Sequence, residues 1–122
     1  MLAFQINREE RLLQITKEKY LDLSNHLDTI AILAKSLSDE NRLRILLCVG
    51  NGKKSVSHIV EELVLSQPLV SHHLKELKRT LLVKVERDGP FIYYEIADKR
   101  ILAILKDLDV LATDLLTQRK TF

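Results

Sequence analysis

Apolar side chains return every three or four residues along most of this chain, and the one long exception lies past its middle. From Ser66 to Arg79, the residues Val70, Leu74 and Leu77, continued by Leu81, recur at steps of four, three and four. That is one stripe of a helix laid on a core. Ser66 suits an N-cap, and Pro68 falls in the first turn, where its missing N–H breaks no intrahelical bond. The opposite face carries Pro68, Ser71, His72, Lys75 and Arg79, with Glu76 at its margin. Upstream, Ser55 to Leu63 sets Val56, Ile59, Val60 and Leu63 on one helical face, and only Val64 and Leu65 separate the two helices. Downstream the period changes. Leu82 to Arg87 is rich in β-branched residues, Asp88-Gly89 signals a two-residue hairpin, and Phe91 to Ile96 is aromatic and β-branched. Helix, tight turn, helix and ribbon in this order predict a winged helix-turn-helix, a mainly α fold with a small antiparallel β-hairpin.

The flanks are helical too. Tyr20, Leu23, Leu27, Ile30, Ala34 and Leu37 alternate steps of three and four, a heptad-like seam. Ser38 is placed to cap a helix running to Leu47, with Gly50 and Gly52 ending it. Asp98 can cap a last helix with Ile101, Leu105, Leu108, Ala112 and Leu115 on one stripe, widened by Leu102, Ile104, Leu111 and Leu116. So broad a stripe asks for more than one neighbour. The expected organisation is a single domain over residues 1–122. It comprises an N-terminal helical extension (1–29), a winged-helix core (30–97) and a C-terminal dimerisation helix (98–122). The core needs about one helical flank, and the surplus points to a homodimer joined through Tyr20, Leu23, Leu27, Ile30, Ile101, Leu105, Leu108 and Leu115. The alternative is that both flanks cover their own motif.

Composition adds limits. At 122 residues, 46% apolar and 30% charged, the chain matches one ordinary globular domain. A net charge of +2 says little, but its distribution says more. Between Gln67 and Arg87, Lys75, Lys78, Arg79, Lys84 and Arg87 stand against only Glu76 and Glu86. No apolar run reaches a membrane span and no signal-peptide pattern opens the chain, so no membrane partner and a cytoplasmic location are expected. The single cysteine, Cys48, excludes an intrachain disulfide and a thiolate-rich metal site within one chain. There is no Gly-rich phosphate loop and no nucleophile in a recognisable setting; an enzyme is not expected.

The outer face of the Ser66 helix is the candidate site. Its polar groups donate to phosphate or to base edges, which selects double-stranded DNA as the partner. The DNA-binding set is Ser66, Gln67, Ser71, His72, Lys75 and Arg79, with Lys84 and Arg87 on the hairpin. Two alternatives stand beside it. One is a solvated helix face, and the other is a winged helix used for protein contact, which calls for an apolar or acidic face. Cys48 reads either as a small core residue or as a thiol open to oxidation, and His26 and His58 either as surface residues or as ligands across subunits. His72 and His73 point about 100° apart and cannot share an ion. His72 faces outward and His73 sits at the edge of the core stripe. Of Tyr93 and Tyr94, one should pack inward and the other face water.

LSDENRLRIL (Leu37 to Leu46) resembles the helix L-x-D-x-x-R-L-x-I-L of ArsR/SmtB-type repressors. SQPLVSHHLKELKRTLLVKVERDGPFIYYEI (Ser66 to Ile96) is similar to their recognition helix, wing and closing tyrosine pair. The likeness runs from about Ala31 to Leu116. It implies a dimeric winged-helix repressor, dimerised through its N- and C-terminal helices. Such a repressor leaves operator DNA on a signal, with Gln67, Ser71, His72 and Lys75 reading DNA. The family's usual metal positions do not carry over. Ser55 and Ser57 stand where a Cys-x-Cys pair belongs, and hydroxyls are poor ligands for soft ions. In the second site Asp98 matches, but Arg100 and Leu111 replace the imidazoles, leaving Asp114 as the last resemblance. A guanidinium there would repel a cation. No metal and no cofactor is expected, the inducer stays unknown, and the N-terminal segment is the other place from which a metal could be supplied.

Overall fold

The computed structural model describes residues 7–119, without the side chains at positions 16 and 18–22; that of Tyr20 therefore lies outside the described residues. Six helices and a hairpin follow in the order α1 (Arg8–Leu23), α2 (Leu27–Ser36), α3 (Glu40–Gly50), α4 (Val56–Leu63), α5 (Gln67–Arg79), β1 (Val83–Asp88), β2 (Phe91–Ile96) and α6 (Arg100–Thr117). They form two compact units, one ending at Lys35 and one beginning at Ser36.

In the first unit the heptad-like seam does not ride on one helix. α1 stops at Leu23, a turn at Ser24 to His26 intervenes, and α2 restarts with the Ile30 N–H donating to the His26 carbonyl at 3.0 Å. Ser and Asn side chains compete with the helical backbone, so Ser24-Asn25 is a natural break. Leu23, Leu27 and Ile30 are all exposed.

In the second unit, Ile45, Leu46, Cys48 and Val49 of α3, Ile59 of α4, and Val70, Leu74 and Leu77 of α5 form the core with Leu82 and Val83. Each such aliphatic side chain contributes roughly 1.5–3 kcal/mol through burial. The caps decide where the helices begin. Asp39, not Ser38, caps α3: its extended backbone lets Oδ1 accept from the Asn41 and Arg42 N–H groups at 2.9 and 3.1 Å. Ser55 accepts from His58 N–H at 3.2 Å, and Ser66 from Leu69 N–H at 3.3 Å.

Leu81 leaves the core stripe to which its spacing assigns it. α5 ends in a Schellman motif: Leu82 N–H donates to the Leu77 carbonyl at 2.9 Å and Leu81 N–H to that of Lys78 at 3.1 Å. Leu81 takes the left-handed position, φ 62°, and turns outward, while Leu82 takes its place inside. α4 also ends on a left-handed residue, Val64 at φ 55°, with the Val64 and Leu65 N–H groups both donating to the Val60 carbonyl, the latter at 3.3 Å.

The hairpin turn also shifts by one residue. The antiparallel register runs from Val83↔Ile96 to Asp88↔Phe91, so the two loop residues are Gly89 and Pro90, and Asp88 belongs to the strand. Gly89 has φ 59°, the positive angle that a II′ turn needs at its first central position, and proline's fixed negative φ suits the second. Lys54 bridges Tyr94 through both backbone groups, at 2.9 and 2.8 Å, adding a one-residue third strand beside β2.

α6 begins where Asp98 accepts the Arg100 N–H at 2.8 Å. Ile101 and Leu105, expected at a dimer seam, are half-buried against the chain's own core. Their place one turn in from the helix start lays them on the core. Leu108 and Leu115 remain exposed, together with Ile104 and Leu111. Among the described residues, no helix is long and apolar enough to cross a membrane.

Candidate nucleic-acid interface

α5 divides cleanly by face. Val70, His73, Leu74 and Leu77 are buried, which fixes the rotation of the helix on α3 and α4. Gln67, Ser71, His72, Lys75 and Arg79 are then turned outward and exposed, with Ser66 at the N-terminal end, where the helix dipole favours an anion. Among the described residues, no carboxylate lies within ion-pair distance of Lys75 or His72.

Arg79 differs from them. Its guanidinium donates to Glu76 at 2.9 Å, and the pair holds the Glu76 carboxyl below its ordinary range. The wing separates its two cations as well. Lys84 lies opposite Glu95 on one face of the ribbon and is ion-paired with it at 3.5 Å. Arg87, three residues on, is on the other face, the face that Val83 and Val85 continue inward. The Lys84 face also holds Glu86, paired with Lys53 at 3.3 Å, and Tyr93, over whose ring Lys53 sits at 5.1 Å. Tyr94 is the tyrosine that packs on the core.

Two polar contacts inside the unit were not legible from the sequence. Cys48 is buried, its thiol donating to Glu62, and Lys54 donates to the same carboxylate at 2.7 Å. Burial, then the Glu62 hydrogen bond, push the thiol up to about 11, so it is held protonated and is a poor nucleophile. His73 is buried beside Asp39, with Nε2 3.7 Å from Oδ1. Spacing leaves Cys48 open and puts His73 at the edge of a stripe; their partners lie 14 and 34 positions away, which no local pattern reports.

The positions that the sequence resemblance marks for metal ligands hold other contacts. Ser55 Oγ caps α4 and lies 3.2 Å from Ser57 Oγ. Asp98 is clamped by Arg100, with contacts of 2.8 and 3.2 Å, and its carboxyl is lowered to about 2 by that side chain. Among the described residues, no three His, Cys, Asp or Glu side chains converge.

Comparison with known proteins agrees with this geometry. The family model described as bacterial regulatory protein, arsR family, matches residues 39–85, from the cap of α3 into β1. An uncharacterised HTH-type transcriptional regulator of Methanocaldococcus jannaschii is 40% identical over 66% of this chain and 92% of its own length. A probable mercury resistance operon repressor of Streptomyces lividans is 34% identical over 73% of this chain and 71% of its own. The solution structure of a homodimeric winged helix-turn-helix DNA-binding domain from Mycobacterium bovis matches 99% of both chains at 25% identity and a TM-score of 0.69. With a buried α5 stripe, a polar outer face and a ribbon beside it, the chain belongs to the arsR family of bacterial regulatory proteins and is a DNA-binding transcriptional regulator of winged helix-turn-helix architecture.

Proposed function

We propose that the protein is a homodimeric repressor that reads an inverted-repeat operator, and that its release signal is not a metal bound at the family's usual positions. The observation that carries the reading is the outer face of α5, where Gln67, Ser71, His72 and Lys75 are exposed in a row and a fully buried stripe fixes their direction. In this reading those four side chains enter the major groove, and Ser66 and the N-terminal turn meet a phosphate. Arg87 is the stronger wing contact; Lys84 and Arg79 each share their charge with a carboxylate and hold backbone more weakly. The dimer supports the second half-site. α6 presents Leu108 and Leu115, about half exposed at 48% and 54%, and the N-terminal helices present Leu23, Leu27 and Ile30. So much exposed leucine and isoleucine on three helices is what an interface between copies requires.

The test is selection of bound sequences from a randomised duplex pool by the purified protein and by the His72→Ala, Lys75→Ala double variant. An inverted repeat enriched by the first and not by the second is the expected result. No enrichment from folded protein would remove the proposal. Light scattering after size exclusion reads the assembly, and a monomer at micromolar concentration would sink the two-half-site arrangement.

A further inference from the structure

The imidazole of His73 lies on α5 directly behind the DNA-facing side chains, and it is only 5% exposed. Nε2 points toward the Asp39 carboxylate at 3.7 Å, across the gap between α5 and the first turn of α3. Nδ1 is buried and has no hydrogen-bond partner. A neutral ring accommodates this with its proton on Nε2, leaving a bare lone pair at Nδ1. A charged ring cannot, because its second N–H would be a donor buried without an acceptor. Nor can Asp39 answer freely. Its Oδ1 already accepts the Asn41 and Arg42 N–H groups that start α3.

We propose that His73 is an acid-sensitive latch: protonation of its ring unseats the recognition helix from the cap of α3 and weakens DNA binding. This rests on the DNA reading above. The groups that face the ring are Asp39 and Arg42 from α3 and His72 from α5 itself, with Glu76 one turn along. Burial lowers the imidazole below its ordinary value of 6.5; Asp39 opposes this, and Arg42 and His72 act with the burial. The sign follows. A ring that binds its proton less readily when α5 is seated makes the seated state fully stable above pH 6.5. That stability is lost as the pH falls from there through the lowered value.

The experiment is fluorescence anisotropy of a duplex recovered by the selection, titrated with wild type and with His73→Gln between about pH 7.5 and pH 5.5. Both proteins are checked by circular dichroism to be folded. Both retain His72 on the outer face of α5. Wild type is expected to lose about twofold more affinity than the variant by the pH at which half of its His73 rings are protonated, and more below it, because only the neutral-ring form binds. Equal losses in the two would overturn the latch. Because His73→Gln can fail to fold, NMR titration of the histidine rings in wild type gives a second reading. A neutral ring protonated on Nε2 and titrating below 6.5 is expected, whereas a ring protonated on Nδ1, or one titrating at or above 6.5, overturns the proposal. Binding of no duplex by either protein at any pH sinks the DNA reading itself, and the latch as a regulator with it.

Discussion

α5 and α6 are both amphipathic helices of the second unit, yet they meet water in opposite ways. α5 buries Val70, His73, Leu74 and Leu77 and shows a polar, partly cationic face. α6 is longer, at 18 residues against 13, and buries none of its residues fully; it shows Ile104, Leu108, Leu111 and Leu115 instead. The difference separates two kinds of partner. A hydrated polyanion asks for donors held rigidly from behind, which the α5 stripe supplies. A second protein surface asks for apolar area that water would rather not cover, and α6 supplies that. An apolar groove of about 670 Å³ between α3 and α6, lined by Leu43, Leu47, Leu102, Leu105 and Leu108, continues the same unsatisfied surface.

The largest effect should come from erasing that contrast. Leu108→Glu with Leu115→Glu makes the outer face of α6 as polar as that of α5. We expect a monomer by light scattering and a loss of affinity for a complete inverted repeat of roughly a hundredfold or more, the gain that joining two binding modules brings. Affinity for a single half-site should be unchanged. A variant that still dimerises would place the interface elsewhere.

Next in size is the same truncation made on each helix. Leu74→Ala removes a fully buried side chain and should cost about 2–5 kcal/mol in urea unfolding at any protein concentration. Leu108→Ala should cost little in a dilute protomer and progressively more as concentration rises, since its burial belongs to the assembly. Identical concentration dependence for the two would erase the distinction between core and interface drawn here.

A smaller effect probes the polar face alone. Lys75→Ala should weaken binding by about 1–3 kcal/mol and relax preference at one base pair if the ammonium meets a guanine edge. A phosphate contact would instead weaken every sequence alike and reduce the salt slope by about one. Unchanged affinity on all sequences would take Lys75 out of the interface.

Much of this was legible in the sequence because it is periodic. The α5 stripe, the Ser66 cap, the outward set around His72 and the place of His73 at the edge of the stripe all follow from the pattern along one helix. What spacing could not supply lies where the chain changes direction or where distant segments meet. Leu81 fits the stripe arithmetically, but the left-handed turn after Arg79 exchanges it for Leu82. Asp88-Gly89 is a strong turn signal, yet register assigns the turn to Gly89-Pro90. Asp39 outcompetes Ser38 as a cap because its carboxylate takes two N–H groups at once. Ile101 and Leu105 share a stripe with Leu108, but only their end of α6 touches the core. Of the candidate site, the outward direction of the α5 side chains is readable and their electrostatics are not. The ion pairs of Arg79 with Glu76 and of Lys84 with Glu95 emerge only when the backbone is folded.

The smallest predicted effect tests the frame that holds α5 in place. Val64 closes α4 in the left-handed region at φ 55° and is 87% exposed, so its side chain contributes almost nothing by burial. A β-branched residue is costly there, by roughly 1–2 kcal/mol for a non-glycine residue, whereas glycine adopts the conformation freely. Glycine also loses more freedom on folding, by about 0.5–1 kcal/mol, which offsets part of the gain. Val64→Gly should therefore stabilise the protein by about 0.5–1 kcal/mol in urea unfolding and leave DNA affinity unchanged, because the turn keeps its shape. A destabilised variant would mean that the exposed valine is held by contacts beyond this protomer. A stable variant with weakened DNA binding would show that the strained turn sets the angle between α4 and α5 and so belongs to the reading face itself.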